Sequence, residues 1–398
     1  MLIILFIALL FAYSLVSGRL EKTVVTAPIL FTLAGMLVFP AMGSATGSLD
    51  AGGLLKLAEI GLVLLLFTDA SRTELKILRD IRALPARLLS TGMLLTILLG
   101  AAAAKLVFPQ LSLWEAGILA AILAPTDAGL GQIIVNSPLV PVRVRQALNV
   151  EAGLNDGLSV PFLLFFIAMA AAGIGEASFA RFLGEQLGLG VLAGAAIGVG
   201  GGWLINAARR SGWMADSFLQ LAVVGLPVAC LVVSEMIGAS MFIAAFVAGL
   251  LVQVPFKDAG RHSVEFTEEW GQILNLSVFF LFGLIVGRDY GTFGSGPFVY
   301  AVLSLTVVRM LPVAVALAGS GLSKTTVAFM GWFGPRGLAS IVLGLVYLEE
   351  EKHLPGEEIT RLAVMATVLL SIFAHGLTAV PGIRWHARRT SNQPTLPA

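Results

Sequence analysis

Thirteen stretches of this chain are each apolar over about 20 residues, the length of helix that crosses the hydrocarbon core of a bilayer. They fall near 2–17, 24–40, 53–70, 86–107, 113–136, 143–171, 179–207, 216–236, 239–253, 268–287, 297–319, 325–347 and 360–380. Inside hydrocarbon a segment must satisfy its own backbone polar groups, and at this length the helix does so. Only 12% of the residues are charged, about half the share of a soluble domain. The prediction is an all-α polytopic membrane protein of about 13 transmembrane helices. Residues 1–381 form one transmembrane domain and 382–398 a short tail. No Lys or Arg precedes the first apolar run, so that run reads as a retained helix rather than a signal peptide. The net charge of +1 gives no ground for a nucleic-acid partner, and the single cysteine, Cys230, cannot form an internal disulfide.

Basic residues test the count, because Lys and Arg gather in cytoplasmic connections. Connections after odd-numbered stretches, with the tail, hold seventeen of them, from Arg19 and Lys22 to Arg388 and Arg389. Connections after even-numbered stretches hold six: Lys56, Lys105, Arg181, Arg288, Lys352 and Arg361. A missed helix near the middle would scramble this bias. The N-terminus is therefore predicted outside and the C-terminus in the cytoplasm of a cell membrane. The remaining two, Arg309 and Arg336, lie within spans.

Two stretches carry helix breakers at their centres. The fifth has Pro125-Thr126-Asp127-Ala128-Gly129, and the twelfth has Gly334-Pro335-Arg336-Gly337. Proline removes a backbone donor and glycine loosens the helix, so each span is expected to break there. Unwound backbone is tolerated at membrane depth only where protein or a water-filled cavity receives its polar groups. The two breaks lie seven helices apart, hence in spans of opposite direction. Paired interrupted helices in inverted halves point to a transporter binding site.

Next to the first break the chain places three carboxylates where each costs about 2.5–3.5 kcal/mol to insert: Asp127, Glu151 and Asp156. Asp127 has two compatible readings. It caps the second half of the broken helix, or it binds a cation with exposed carbonyls and the Thr126 hydroxyl. Glu151 and Asn155 are one helical turn apart and share a face, and Ser159 follows Asp156 by three residues. Desolvation favours the neutral form of a carboxyl, so such a group can hold a proton and yield it to an arriving cation. An arginine within a span needs an acid or helix-end carbonyls. Arg336, at the second break, is the expected structural partner of Glu151, which would leave Asp156 free to titrate. Arg309 is expected to hold Asp127 or a helix end. Asp69, near the end of the third span, reads as an interfacial charge or an acid lining the entrance. His375 reads as a hydrogen-bonded packing residue or a proton relay.

At Pro125-Thr126-Asp127, Glu151-Ala152-Gly153-Leu154-Asn155-Asp156-Gly157 and Gly334-Pro335-Arg336-Gly337 the chain resembles sodium/proton antiporters of the cation:proton antiporter superfamily. It is most similar to the electroneutral bacterial and archaeal branch related to animal sodium/hydrogen exchangers. The resemblance implies a homodimer of thirteen-helix protomers, each with a dimerisation part and a six-helix core containing two crossed, broken helices. It implies that Asp156 carries the exchanged cation or proton, with Asp127 and Thr126 assisting, Asn155 holding the site and Arg336 paired with Glu151. It also implies that Asp69 contributes. Transported Na⁺ and H⁺ are the only non-protein species expected; no cofactor or enzymatic chemistry is implied. Ala128 and Ala152 stand where relatives usually have proline and often have serine, which leaves the choice among Na⁺, Li⁺ and K⁺ open. K⁺/H⁺ exchange and a passive cation channel are the alternatives. An intramembrane aspartyl protease would need a Tyr-Asp plus Gly-x-Gly-Asp pattern, which the chain lacks.

Overall fold

The computed structural model describes residues 2–20, 23–42, 51–72, 83–171, 184–257, 259–348 and 354–390. Among them the regular structure is helical throughout: α1 (Leu2–Leu20), α2 (Ala27–Met42), α3 (Ala51–Arg72), α4 (Ala83–Val107), α5 (Leu113–Ile122), α6 (Ala128–Val135), α7 (Val142–Ala170), α8 (Leu187–Arg210), α9 (Asp216–Ile237) and α10 (Met241–Val252). There follow α11 (Ala259–Asp289), α12 (Ser295–Leu305), α13 (Val307–Ala316), α14 (Lys324–Trp332), α15 (Leu338–Leu348) and α16 (Glu357–Thr390). Each apolar stretch of the sequence falls on one of these helices or on a consecutive pair. Eight described helices are long and apolar enough to cross a membrane, and shorter apolar helices accompany them.

Both expected breaks are present, between α5 and α6 and between α14 and α15. A third interruption divides α12 from α13 at Thr306, with no proline or glycine there to announce it. Thr306 Oγ1 bonds back to the Val302 carbonyl at 2.5 Å, a competition with the helix ladder that bends helices. The last helix also runs further than its apolar stretch. It continues through Pro381 to Thr390, so residues 382–390 of the expected tail are helical; 391–398 lie outside the described residues. Packing explains the extension: His386 stacks on Phe329 with ring centroids 4.5 Å apart and bonds Thr326 Oγ1 at 3.2 Å, while Ile383 joins Phe329, Met330 and Phe333 in one buried cluster.

The helices pack as two bodies. One is a scaffold of α1–α3 and α8–α11, in which α2 lies along α11, and α10 packs on α3, α8 and α9. Glycines permit these close approaches: a Cβ on Gly35 would collide with the Phe280 carbonyl, and one on Gly198 would stand 2.6 Å from the Ala248 carbonyl, the small-residue packing usual between membrane helices. The other body is a core of α4–α7 and α12–α16. Its two halves share one plan, a helix, a broken helix, then a long helix. The bodies meet along a narrower seam, α3 and α10 on α7, α3 and α11 on α15, and α2 on α16. Among the described residues an ion pair crosses it: Asp289 at the end of α11, buried, is shared by its neighbour Arg288 (2.9 Å) and by Arg361 of α16.

Candidate functional site

The two breaks meet at the centre of the core, and their backbones bond directly, Asp127 N–H donating to the Pro335 carbonyl at 2.8 Å. Four half-helix ends converge here, each a partial charge of about half a unit, positive at N-termini and negative at C-termini. Two side chains answer them. Asp127 is the N-cap of α6, where its Oδ1 accepts from Leu130 N–H at 2.7 Å. Its Oδ2 accepts from Leu338 N–H at 2.5 Å, at the start of α15. One carboxylate thus caps two helices of opposing halves. Gly337 makes this possible, because a Cβ there would occupy the place of Asp127 Oδ2. Arg336, fully buried, does the converse. Its Nη1 donates to the Pro125 carbonyl (3.0 Å) beyond α5 and to the Gly334 carbonyl (3.2 Å) beyond α14.

The expected pairing of Glu151 with Arg336 is therefore corrected. Glu151 Oε1 accepts from Arg309 Nη1 at 2.6 Å, with both side chains buried. Arg336 is taken up by helix-end carbonyls, whereas Arg309 reaches Glu151 past Gly334, where a Cβ would collide with its guanidinium. Arg309 accordingly holds neither Asp127 nor, by a hydrogen bond of its own, a helix end; its acid is Glu151.

With these charges matched, Asp156 stands out. It is 5% exposed, has no ion-pair partner among the described residues, and its Oδ1 lacks a hydrogen-bond donor. Next to it on α7, Asn155 donates Nδ2–H to Thr126 Oγ1 at 2.7 Å, leaving Asn155 Oδ1 likewise without a donor. Two buried oxygens facing no donor are what a dehydrated monovalent cation or a proton requires. The charges of Asp69, Asp127 and Arg336 all act on Asp156. Asp69 comes from α3 of the scaffold, its Cβ 3.6 Å from where a Cβ on Gly153 would stand. Ser159 spends its hydroxyl proton on the Asp156 carbonyl at 2.7 Å. A cavity of about 20 Å³ reaches the first break, lined by Thr126, Asp127, Asn149, Ala152, Phe333 and Pro335, room for a particle the size of one water. It lies toward the end of α7 that carries Arg143 and Arg145.

Three residues of the site escaped the sequence reading or were left undecided by it. Ser371 Oγ accepts from Arg336 N–H at 2.6 Å. His375 lies one turn further along α16, with Nδ1 3.0 Å from that hydroxyl and Nε2 2.8 Å from the Trp332 carbonyl. Together they tie the second break to α16, so His375 acts as a bonded structural histidine. Asn149 precedes Asp156 by seven residues, two turns along the same face, and that spacing is the signal that would have found it.

A family model for the transmembrane part of sodium/hydrogen exchangers matches residues 4–385. The chain belongs to the sodium/hydrogen exchanger family. Among its curated relatives, this exchanger-family chain is 25% identical over 366 residues to the K(+)/H(+) antiporter NhaP2 of Shewanella baltica (strain OS223), covering 88% of the chain and 62% of that protein. It is 25% identical over 261 residues to a Na(+)/H(+) antiporter of Schizosaccharomyces pombe, covering 60% of the chain and 55% of that protein. The chain thus spans less than two thirds of the length of these relatives. Its fold is that of the sodium proton antiporter MjNhaP1 from Methanocaldococcus jannaschii, with a TM-score of 0.72 at 18% identity over 93% of this chain and 97% of the other. An electron-microscopy structure of the same protein gives 0.75 at 19% identity over 99% and 98%. It is a multi-pass membrane protein of the antiporter fold.

Proposed function

We propose that this chain is a secondary active transporter that exchanges a monovalent cation for a proton, with Na⁺ as the first candidate and K⁺ as the alternative. One observation carries the reading: at the crossing of the two breaks, Asp127 and Arg336 serve the helix ends, Glu151 and Arg309 serve each other, and of the three carboxylates Asp156 keeps a buried oxygen without a donor. An ionised Asp156 beside Asn155 Oδ1 offers a cation two oxygens at a dry site. Protonation of the same carboxyl withdraws that charge, so cation and proton compete for one place. Competition for a single group, exposed to each side in turn, is sufficient for obligatory exchange. Thr126 orients Asn155, Asp69 adds negative charge from the scaffold, and Asp127 keeps the break together rather than leaving it to take the ion. The narrow seam between scaffold and core is where the core would slide to change the side of access. We further infer a homodimer in the cell membrane with the N-terminus outside, in line with the basic-residue bias.

The test is transport by the purified protein in vesicles carrying an imposed pH gradient, with Na⁺, Li⁺ and K⁺ offered in turn, with and without a membrane potential. Exchange predicts that the pH gradient alone drives cation accumulation. Cation movement that follows only its own gradient and the potential would establish a channel instead. Names among the relatives favour both Na⁺ and K⁺, so the order of the three ions decides between them.

A further inference from the structure

The seam between scaffold and core combines smooth contacts with a directional tie. Where α7 meets α10, the core presents Gly157 to the ring of Phe246, and where α16 meets α2 it presents Gly376 to Ile29. A Cβ at either glycine would collide with the facing side chain. Such close van der Waals contacts carry no directional bond. Asp289 and Arg361 do. Asp289 is the last residue of α11 and is buried; Arg361 is the fifth residue of α16, and its Nη1 donates to Asp289 Oδ2. Helix electrostatics favours neither placement. The C-terminal end of α11 is a partial negative charge that opposes an acid, and the N-terminal end of α16 a partial positive charge that opposes, more weakly one turn in, a base. Each residue suits the other body rather than its own helix. The pair can also open without stranding a buried charge, which would be costly. Asp289 keeps Arg288, whose Nε donates to Oδ1 at 2.9 Å and Nη2 to Oδ2 at 3.2 Å, and the Arg361 side chain is already 23% exposed.

The pair lies at the opposite face of the molecule from the cavity at the first break. α7 and α11 fall on the sixth and tenth apolar stretches and so run in the same direction. The cavity lies toward the beginning of α7, whereas Asp289 ends α11. We propose that Asp289 and Arg361 form a latch: they hold scaffold and core in the register seen here, closed at their own face, and part when the core moves to open the ion site to that face. The basic-residue bias assigns this face to the outside. The inference rests on the reading of the chain as a cation/proton exchanger whose core slides against its scaffold. An interaction made in one of two states shifts their populations by the free energy it contributes there, without touching the ion. The latch therefore sets how the protein divides its time between the two faces, and Asp156 keeps its own affinities.

The test is the sidedness of Na⁺ dependence in vesicles that hold the protein in one known orientation. Each state binds Na⁺ from its own face, so the ratio of the half-saturating concentration at the latch face to that at the cavity face follows the two populations. Arg361→Gln is expected to lower this ratio about fivefold, the effect of losing one partly exposed ion pair. Asp289→Asn lowers it likewise. The double variant shows the same shift as either single one, since one interaction is removed in all three. Elution and thermal melting in detergent check folding; should Asp289→Asn fail to fold, Arg361→Gln, at the partly exposed partner, carries the test alone. A folded Arg361→Gln protein with an unchanged ratio, even one that melts earlier, overturns the inference, because a merely structural tie would affect melting and leave the ratio as it was. Shifts of the two single variants that add in the double one overturn it as well. Failure of the wild-type protein to exchange cations for protons would instead overturn the functional reading itself.

Discussion

Both oxygens of Asp127 accept backbone amides, while Asp156 keeps one oxygen that meets no donor. That difference separates two residues which composition and hydropathy treat alike. The sequence showed that both acids lie at membrane depth, and the proline and glycines around Asp127 marked it as a residue at a helix end. It did not show which arginine meets which acid. Arg309 and Arg336 are both single basic residues inside apolar spans, far from Glu151 along the chain. What decides between them is the missing side chain at Gly334 and the carbonyls around Arg336, features of the packed core alone. The assignment is open to test by thermal melting in detergent. Removing one partner of a buried ion pair costs about 3–5 kcal/mol, so Arg309→Met is expected to melt much earlier than the wild type. Glu151→Gln added to Arg309→Met recovers part of that loss. The same addition to Arg336→Met recovers less, because Arg336 serves carbonyls that Glu151 does not touch. Equal coupling in the two cycles, read as departures from additivity, would return Glu151 to Arg336.

Among the elements, the breaks were legible because Pro125 and Pro335 cannot continue a helix and glycines flank them. The bend at Thr306 was not, since it arises from a side-chain bond to the Val302 carbonyl that threonine makes in many straight helices. Nor was the extension of α16 past Pro381, which comes from contacts of Ile383 and His386 with α14. The glycines of the second break are not equivalent. A Cβ at Gly334 meets the arginine side chain of Arg309, whose guanidinium can shift. A Cβ at Gly337 takes the position of an oxygen that must cap α15, and the backbone there is held by Ser371 and Pro335. Gly337→Ala is therefore expected to abolish exchange and lower the melting temperature, and Gly334→Ala to retain exchange at a reduced rate. Vesicle transport with parallel melting curves checks the order. A Gly337→Ala protein as stable and active as the wild type would mean that Asp127 does not need to bridge the two helices.

At the scale of the whole molecule, the chain divides into a scaffold and a core that interleave in sequence but not in space. Hydropathy located the spans, and the parity of the breaks indicated inverted halves. The division into bodies came only from packing, because lipid-facing and seam-facing helices are equally apolar. Function follows from where the seam lies. Asp69 reaches across it toward the crossing of the breaks, and the pair of Asp289 with Arg361 ties α11 to α16. In the proposed mechanism core and scaffold change register while Asp156 travels with the core, so that the ion it would carry faces one side or the other. The central claim is that one carboxylate holds either the cation or the proton. It is tested most directly by adding Na⁺ to the purified protein in weakly buffered detergent solution near neutral pH and recording the pH. The account predicts acidification that saturates with Na⁺ binding in the wild type and is absent in a folded Asp156→Asn protein. Na⁺ binding without proton release, or release undiminished in Asp156→Asn, would contradict it.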